Sequence, residues 1–198
     1  MFYKGYFMKK LLISAISLLF TSTISAQEFS AKVNQISSDG FVSTFKSFPN
    51  ELILNGLDCK GGNISPEISW KGAPKETKSF AISLYDASAP TDSGFWHWVV
   101  FNIPSNVNTI KKGASKNIQL LPKGAIESRT DFIKDINGVY GYGGPCPSVG
   151  DKPHNYVFKV TALKDYIPLD KDATPAFISY YVGQLKLAES KIIVPFSR

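Results

Sequence analysis

The stretch Trp96-His97-Trp98-Val99-Val100-Phe101-Asn102-Ile103 is apolar or aromatic at nearly every position. A helix with one wet face would interrupt such a run with polar residues every third or fourth place, and a half-exposed strand would alternate. Continuous apolarity over eight residues, rich in β-branched and aromatic side chains, reads as a central strand covered on both faces. Further runs of the same kind lie on either side. Phe80-Ala81-Ile82-Ser83-Leu84-Tyr85 alternates bulky and small residues. Tyr156-Val157-Phe158-Lys159-Val160-Thr161-Ala162-Leu163 and Lys191-Ile192-Ile193-Val194-Pro195-Phe196 are likewise strand-forming. Phe29–Val33 and Glu51–Leu54 are weaker strand candidates. Thr174 as cap and Pro175 at the first helical position open one helix. Phe177, Tyr180, Tyr181, Gln184, Leu185 and Ala188 are expected to form its apolar face against a sheet. Between about Asn106 and Gly144 the pattern dissolves into Gly, Pro and Lys, as expected of long loops around the mouth of a sandwich. The expected fold is mainly β: an antiparallel β-sandwich of two sheets with a C-terminal helix and a pocket at one end.

The N-terminus asks for separate treatment. Lys9 and Lys10 precede the run Leu11-Leu12-Ile13-Ser14-Ala15-Ile16-Ser17-Leu18-Leu19-Phe20, and small residues follow up to Ala26. Positive start, short apolar stretch and small-residue exit describe a secretory signal peptide, too short for a membrane span of about 20 residues. Residues 1–26 are therefore read as signal peptide, with Met8 an alternative start, and residues 27–198 as a single domain destined for the periplasm or the medium. The alternative is an uncleaved anchor. The net charge of +6 includes Lys4, Lys9 and Lys10 of that segment. No basic run interleaved with aromatics remains, so nucleic acid is not an expected partner. The chain has two cysteines, Cys59 and Cys146. In an oxidising compartment such a pair is expected to form a disulfide. Free thiols or a metal site are the alternatives.

Four polar side chains stand at the tips of apolar strands. In extended chain, residues two apart share a face. Asp86 then continues the face of Phe80, Ile82 and Leu84, His154 and Tyr156 that of Phe158 and Val160, and His97 that of Val99, Phe101 and Ile103. Singly, each could be an ordinary strand end touching water. Together they include both histidines of the chain, and they are expected to converge where a pocket opens.

The motifs carrying these residues resemble a known family. Asp86-Ala87-Ser88-Ala89-Pro90-Thr91 followed by Gly94-Phe95-Trp96-His97-Trp98-Val99-Val100 is similar to the first signature of phosphatidylethanolamine-binding proteins. Gly144-Pro145-Cys146-Pro147 followed by Gly150-Asp151-Lys152-Pro153-His154-Asn155-Tyr156-Val157-Phe158 is similar to the second. Asn63-Ile64-Ser65-Pro66-Glu67-Ile68-Ser69-Trp70 and Arg129-Thr130-Asp131-Phe132 resemble blocks of the bacterial, Raf-kinase-inhibitor-like branch. The resemblance runs from about residue 29 to the C-terminus. It implies a two-sheet sandwich and a ligand-binding pocket formed by Asp86, His97, His154 and Tyr156, with Pro145 in the bordering loop. The implied ligand is a small anion, a phosphate or phospholipid head group. One departure is Ser88, where the family usually has a carboxylate, so that side of the pocket is expected to be less negative.

A carboxylate close to an imidazole favours its charged form, so Asp86 is expected to orient one histidine, and the imidazole N–H groups and the Tyr156 hydroxyl to donate to the anion. Affinity is then expected to rise as pH falls from about 8 toward 6. No Gly-x-Ser-x-Gly, His-Glu-x-x-His or nucleotide-binding glycine loop occurs, so a non-enzymatic binding protein without cofactor is the leading expectation. The alternatives are an inhibitor of a partner enzyme acting through the pocket rim and the 106–144 loops, an acid–base enzyme, and a zinc site on His97, His154 and Asp86.

Overall fold

The computed structural model describes Met1, residues 28–36 and residues 48–198. The signal-peptide reading of residues 1–26 lies outside the described residues apart from Met1. Among the described residues no helix is long and apolar enough to cross a membrane.

The four strong strand segments supply four neighbouring strands of a five-stranded antiparallel sheet. Its members are β5 (Ser79–Asp86), β6 (Phe95–Pro104), β8 (Ile126–Glu127), β9 (His154–Leu163) and β10 (Lys186–Phe196), in the spatial order β10-β9-β5-β6-β8. A three-stranded sheet, β1 (Ser30–Val33), β4 (Ile68–Lys71) and β7 (Thr109–Ile110), packs on one face, with β4 in the middle. A two-residue hairpin, β2 (Asn55–Gly56) with β3 (Cys59–Lys60), lies apart. Between the two larger sheets sits the main core: Ile82, Leu84, Trp98, Val100, Phe158, Val160 and Val194 from one side, Val33, Ile68, Trp70 and Ile110 from the other.

The opposite face of the five-stranded sheet is covered by the helix α1 (Pro175–Leu185). Thr174 caps it by accepting from the Phe177 N–H, and Pro175 occupies its first turn. The buried seam shares only Tyr181 and Leu185 with the expected one. Ile178 is buried, with Tyr181, Val182 and Leu185 packed beside it against Ala81, Val99 and Phe101. Residues 178, 181, 182 and 185 follow the i, i+3, i+4, i+7 repeat that lines one side of a helix. Phe177 and Tyr180, 51% and 58% exposed, stack on each other along the flank. Ala188 lies beyond the helix, which passes directly into β10. The expected strand at 51–54 is a short 3-10 turn, Asn50–Leu52. The stretch from 106 to 144 contributes β7 and β8 rather than loops alone.

Strand β6 is irregular in two places. Leu84 pairs with Trp98 while the next residue, Tyr85, pairs with Trp96, leaving His97 as an extra residue. Phe80 pairs with Ile103 and Ile82 with Val100, so a second extra residue falls near Asn102, whose φ is 57°. Each bulge shifts the alternation by one. Trp98 consequently points into the main core, whereas Trp96 packs on the helix side. The expected common face of His97, Val99, Phe101 and Ile103 does not exist: Val99 and Phe101 lie under α1 and Ile103 lies in the main core.

Candidate functional site

The first bulge decides where His97 goes. Its neighbours in the strand find partners outside the sheet ladder: Trp96 N–H donates to Asp131 Oδ2 at 2.7 Å, Asp131 N–H to the Trp96 carbonyl at 3.0 Å, and Gly143 N–H to the His97 carbonyl at 2.9 Å. The segment 128–143 thus acts as a substitute strand. With its backbone so held, the His97 ring turns to the inner side. Phe95, Phe132 and Tyr156 surround it at ring-centroid distances of 5.1, 5.3 and 5.3 Å.

Asp86 and Tyr156 reach the same place by register. They are direct cross-strand partners on β5 and β9, and Asp86 also faces Phe95 on β6. His154, the first residue of β9, stacks on Tyr156 with centroids 6.2 Å apart. The four residues expected to converge do so, at one end of the main core. They line a hollow of about 210 Å³ together with Leu54, Leu57, Pro90, Phe95, Phe132, Gly144, Cys146, Pro147 and Ser148. Pro145 does not face the hollow: it is buried behind the wall formed by its neighbours, its carbonyl accepting from the Leu54 N–H at 3.3 Å.

The wall is pinned at several points. Cys59 and Cys146 are joined by a disulfide, with Cα atoms 6.0 Å apart, so the hairpin β2–β3 is tied to the segment lining the hollow. Arg198 donates twice to Asp58, at 2.8 and 2.9 Å, and once to the Pro147 carbonyl at 2.7 Å. That guanidinium holds the Asp58 carboxyl below its usual range. Gly143 and Gly144 sit so close to their neighbours that a Cβ on Gly144 would fall 2.1 Å from the Leu52 carbonyl oxygen, and one on Gly143 2.1 Å from Phe132. Only glycine fits there.

The polar groups divide into two kinds. Asp86 is paired with His154, Oδ2 to Nδ1 at 2.7 Å, and its other oxygen accepts from the Ser88 N–H at 2.8 Å. His154 Nε2 lies 3.5 Å from Asp151 Oδ2, so this ring has a carboxylate near each nitrogen. His97 has a different partner. Its Nδ1 is 2.9 Å from the Gly143 carbonyl. A carbonyl only accepts, so that nitrogen carries the proton and Nε2 is left with a lone pair. Burial pushes the His97 imidazole down to about 4, against the opposing pull of the Gly143 carbonyl and of Asp86. The expected cationic donor is therefore absent at His97; at neutral pH this ring is an acceptor. Burial, reinforced by Asp86, pushes the Tyr156 hydroxyl up, so it remains an O–H donor.

Ser88, where a carboxylate was expected from the family pattern, does not line the hollow. Its hydroxyl accepts from the Asn155 N–H at 3.0 Å and steadies the start of β9. Among the described residues the one cluster of three metal-ligating side chains is Asp58 with Cys59 and Cys146, whose sulfurs are spent in the disulfide. The trio His97, His154 and Asp86 does not form such a cluster. The sequence reading missed the aromatic walls Phe95 and Phe132 and the Arg198–Asp58 clamp. Phe95 could have been found from its antiparallel register with Asp86; the clamp joins residues 140 positions apart and leaves no local signal.

Fold and site together define the class: a two-sheet β-sandwich whose strand tips surround a small, partly apolar hollow at one end of the main core. A sequence model described as "Phosphatidylethanolamine-binding protein" matches residues 44–197. Escherichia coli YbcL, named as a UPF0098 protein, is 40% identical over 187 residues, covering 93% of this chain and 96% of that one. E. coli YbhB is 38% identical over 150 residues, 75% and 91% of the two chains. The crystal structure of E. coli YbcL, described as a new member of the mammalian PEBP family, superposes with a TM-score of 0.77 at 39% identity, covering 86% of this chain and 99% of that one. A phosphatidylethanolamine-binding protein homologue from Chlamydia trachomatis shares the fold, with a TM-score of 0.66 at 22% identity over 86% and 98% of the chains. The chain belongs to the phosphatidylethanolamine-binding protein family, in its UPF0098 branch with YbcL and YbhB.

Proposed function

We propose that this chain is an exported, non-enzymatic binding protein that holds a small anionic group, a phosphate or phospholipid head group, in the hollow lined by Asp86, His97, His154 and Tyr156. The observation that carries this reading is the convergence of those four side chains inside an apolar collar. Tyr156 donates through its hydroxyl. His154 is held by Asp86 through Nδ1, which leaves Nε2, 3.5 Å from Asp151 Oδ2, as its remaining nitrogen for the ligand. Leu54, Phe95, Phe132 and Pro147 form the less exposed apolar part of the lining and strengthen each polar contact.

Binding rather than catalysis is favoured by what the hydroxyls do. Burial keeps the Tyr156 hydroxyl protonated, and among the described residues no base is hydrogen-bonded to the hydroxyl of Ser148, the serine in the lining, so neither is an activated nucleophile. Export is supported by the signal-like N-terminus and by the disulfide, which suits an oxidising compartment.

Calorimetric titration with methyl phosphate at pH 6 tests the reading. Saturable one-to-one binding is expected, weakened at least about tenfold in Tyr156→Phe and in His154→Ala, each of which removes a donor to an ion. Titration curves for both variants superposing on the wild type would refute the site. Native mass spectrometry of protein recovered from its own compartment should show a co-purified small ligand and a mass two hydrogen atoms short for the disulfide. Cell fractionation tests the location.

A further inference from the structure

We propose that His97 sets the specificity of this hollow as a hydrogen-bond acceptor, so that the site takes an anion carrying its own donor, above all a singly protonated phosphoryl group, and rejects an anion of the same shape that has none. The inference rests on the anion-binding reading above.

The argument is geometric. The ring lies in the wall of the hollow and is 5% exposed. Its Nδ1–H is given to the Gly143 carbonyl, which fixes the tautomer and leaves Nε2 with a lone pair. Among the described residues no protein donor meets Nε2. A bare tetrahedral anion pressed against that nitrogen would set lone pair against lone pair and leave a buried acceptor unsatisfied. A phosphate monoester that has kept one proton offers a P–O–H instead. The same requirement can be met by an ammonium group attached to a phosphate diester, as in an ethanolamine head group. Both share one chemistry: an anion with a donor beside it. The charged and titratable groups around the ring are Asp86 on β5 and His154 and Tyr156 on β9; Asp151 approaches only the far nitrogen of His154. Asp131, on the segment behind, is turned to the Trp96 N–H. Phe95 and Phe132 complete the ring's surroundings and carry no charge. None of these supplies His97 with a second proton. Burial in this setting keeps the imidazole neutral well below pH 6.

The test compares methyl phosphate and sulfate by calorimetry between pH 5.5 and 8.5. The second proton of a phosphate monoester leaves near pH ~6, whereas sulfate holds none in this range. Methyl phosphate is expected to weaken about tenfold per pH unit above its own titration, and sulfate to bind at least about tenfold more weakly at pH 6. His97→Gln, whose amide offers an N–H as well as a carbonyl, is expected to narrow the ratio between the two ligands. Should that variant not fold, nitrogen NMR of the wild-type imidazoles reads the same point: His97 must show the Nδ1–H tautomer, and its Nε2 signal must move with methyl phosphate. Dimethyl phosphate and glycerophosphoethanolamine separate the sources, because both are diesters and only the second has an ammonium. Binding of the second alone identifies a lipid head group as the donor's source; rejection of both identifies a free monoester. Sulfate or dimethyl phosphate binding as tightly as methyl phosphate overturns the inference. So does a parallel pH dependence for sulfate, which would place the proton on the protein. If no anion binds at any pH, the anion-binding reading itself has failed.

Discussion

Replacing His97 with glutamine should flatten the acid side of this protein's stability curve. In the unfolded chain the imidazole titrates near pH ~6.5; in the folded chain burial holds it down to about 4. Between those values the unfolded state takes up a proton that the folded state refuses, so stability falls as pH drops. The sign is fixed by the depressed value: nothing is lost above pH 6.5, and the loss is complete below pH 4. Linkage across this window gives about 2 kcal/mol lost by pH 5 and about 3 kcal/mol by pH 4. In a domain whose total stability is of order 5–15 kcal/mol this is a large fraction. The assay is guanidinium unfolding of wild type and His97→Gln at pH 7.5, 6.5, 5.5 and 5.0, with the difference in unfolding free energy plotted against pH. The variant is expected to be less stable at pH 7.5, because the bond to Gly143 and the aromatic packing change. That offset should shrink by about 2 kcal/mol on reaching pH 5. Carboxylates such as Asp131, raised by burial, titrate in both proteins and cancel in the difference. A difference that stays constant from pH 7.5 to 5 refutes the neutral, buried imidazole, and with it the acceptor assignment.

Replacing both Cys59 and Cys146 with serine opens a loop spanning 87 positions; the chain-entropy relation gives a loss of about 4–5 kcal/mol, measurable as a lowered denaturation midpoint. Asn102 donates to the Ile167 carbonyl at 2.9 Å and accepts from the Ile167 N–H at 2.7 Å, all three groups buried. Asn102→Ala leaves both backbone groups unpaired and keeps a positive φ, so a loss of about 3 kcal/mol is expected by the same unfolding assay. Gly144→Ala, whose new methyl would collide with the backbone at Leu52 and Leu54, should cost about 1–3 kcal/mol and displace the wall of the hollow, seen as weaker methyl phosphate binding.

How far the amino-acid order reveals this molecule depends on the range of the interaction. β5, β6 and β9 are visible because each is a long run of β-branched and aromatic residues whose burial follows from composition. β7 and β8, two residues apiece, offer no window in which a period can appear. The junction at Lys186 is misleading for a different reason. Leu187, Ala188 and Glu189 are good helix formers, yet pairing of β10 with β9 over ten register positions, from Lys186↔Leu163 to Phe196↔His154, overrides that preference. Alternation puts Asp86 on the face of Ile82 and Leu84 and Tyr156 on that of Phe158 and Val160, and they lie there because the register β5–β9 is unbroken over Ser79–Asp86. His97 was assigned to the pocket while the alternation argument for its face was wrong: the extra residue arises from cross-strand pairing and from Asp131, neither visible within the strand itself. Its role as acceptor depends on the carbonyl of Gly143, 46 positions away.

The sulfur bridge also divides the chain mechanically. A pull on the two ends of the folded domain would travel along the polypeptide to residue 59, cross the S–S bond, and resume at residue 146. The intervening 87 steps form a closed ring that carries no tension, sheltering β4 to β8 while β1, β9 and β10 bear the load. Stretched to full length, the oxidised chain would fall short of the reduced one by roughly 300 Å.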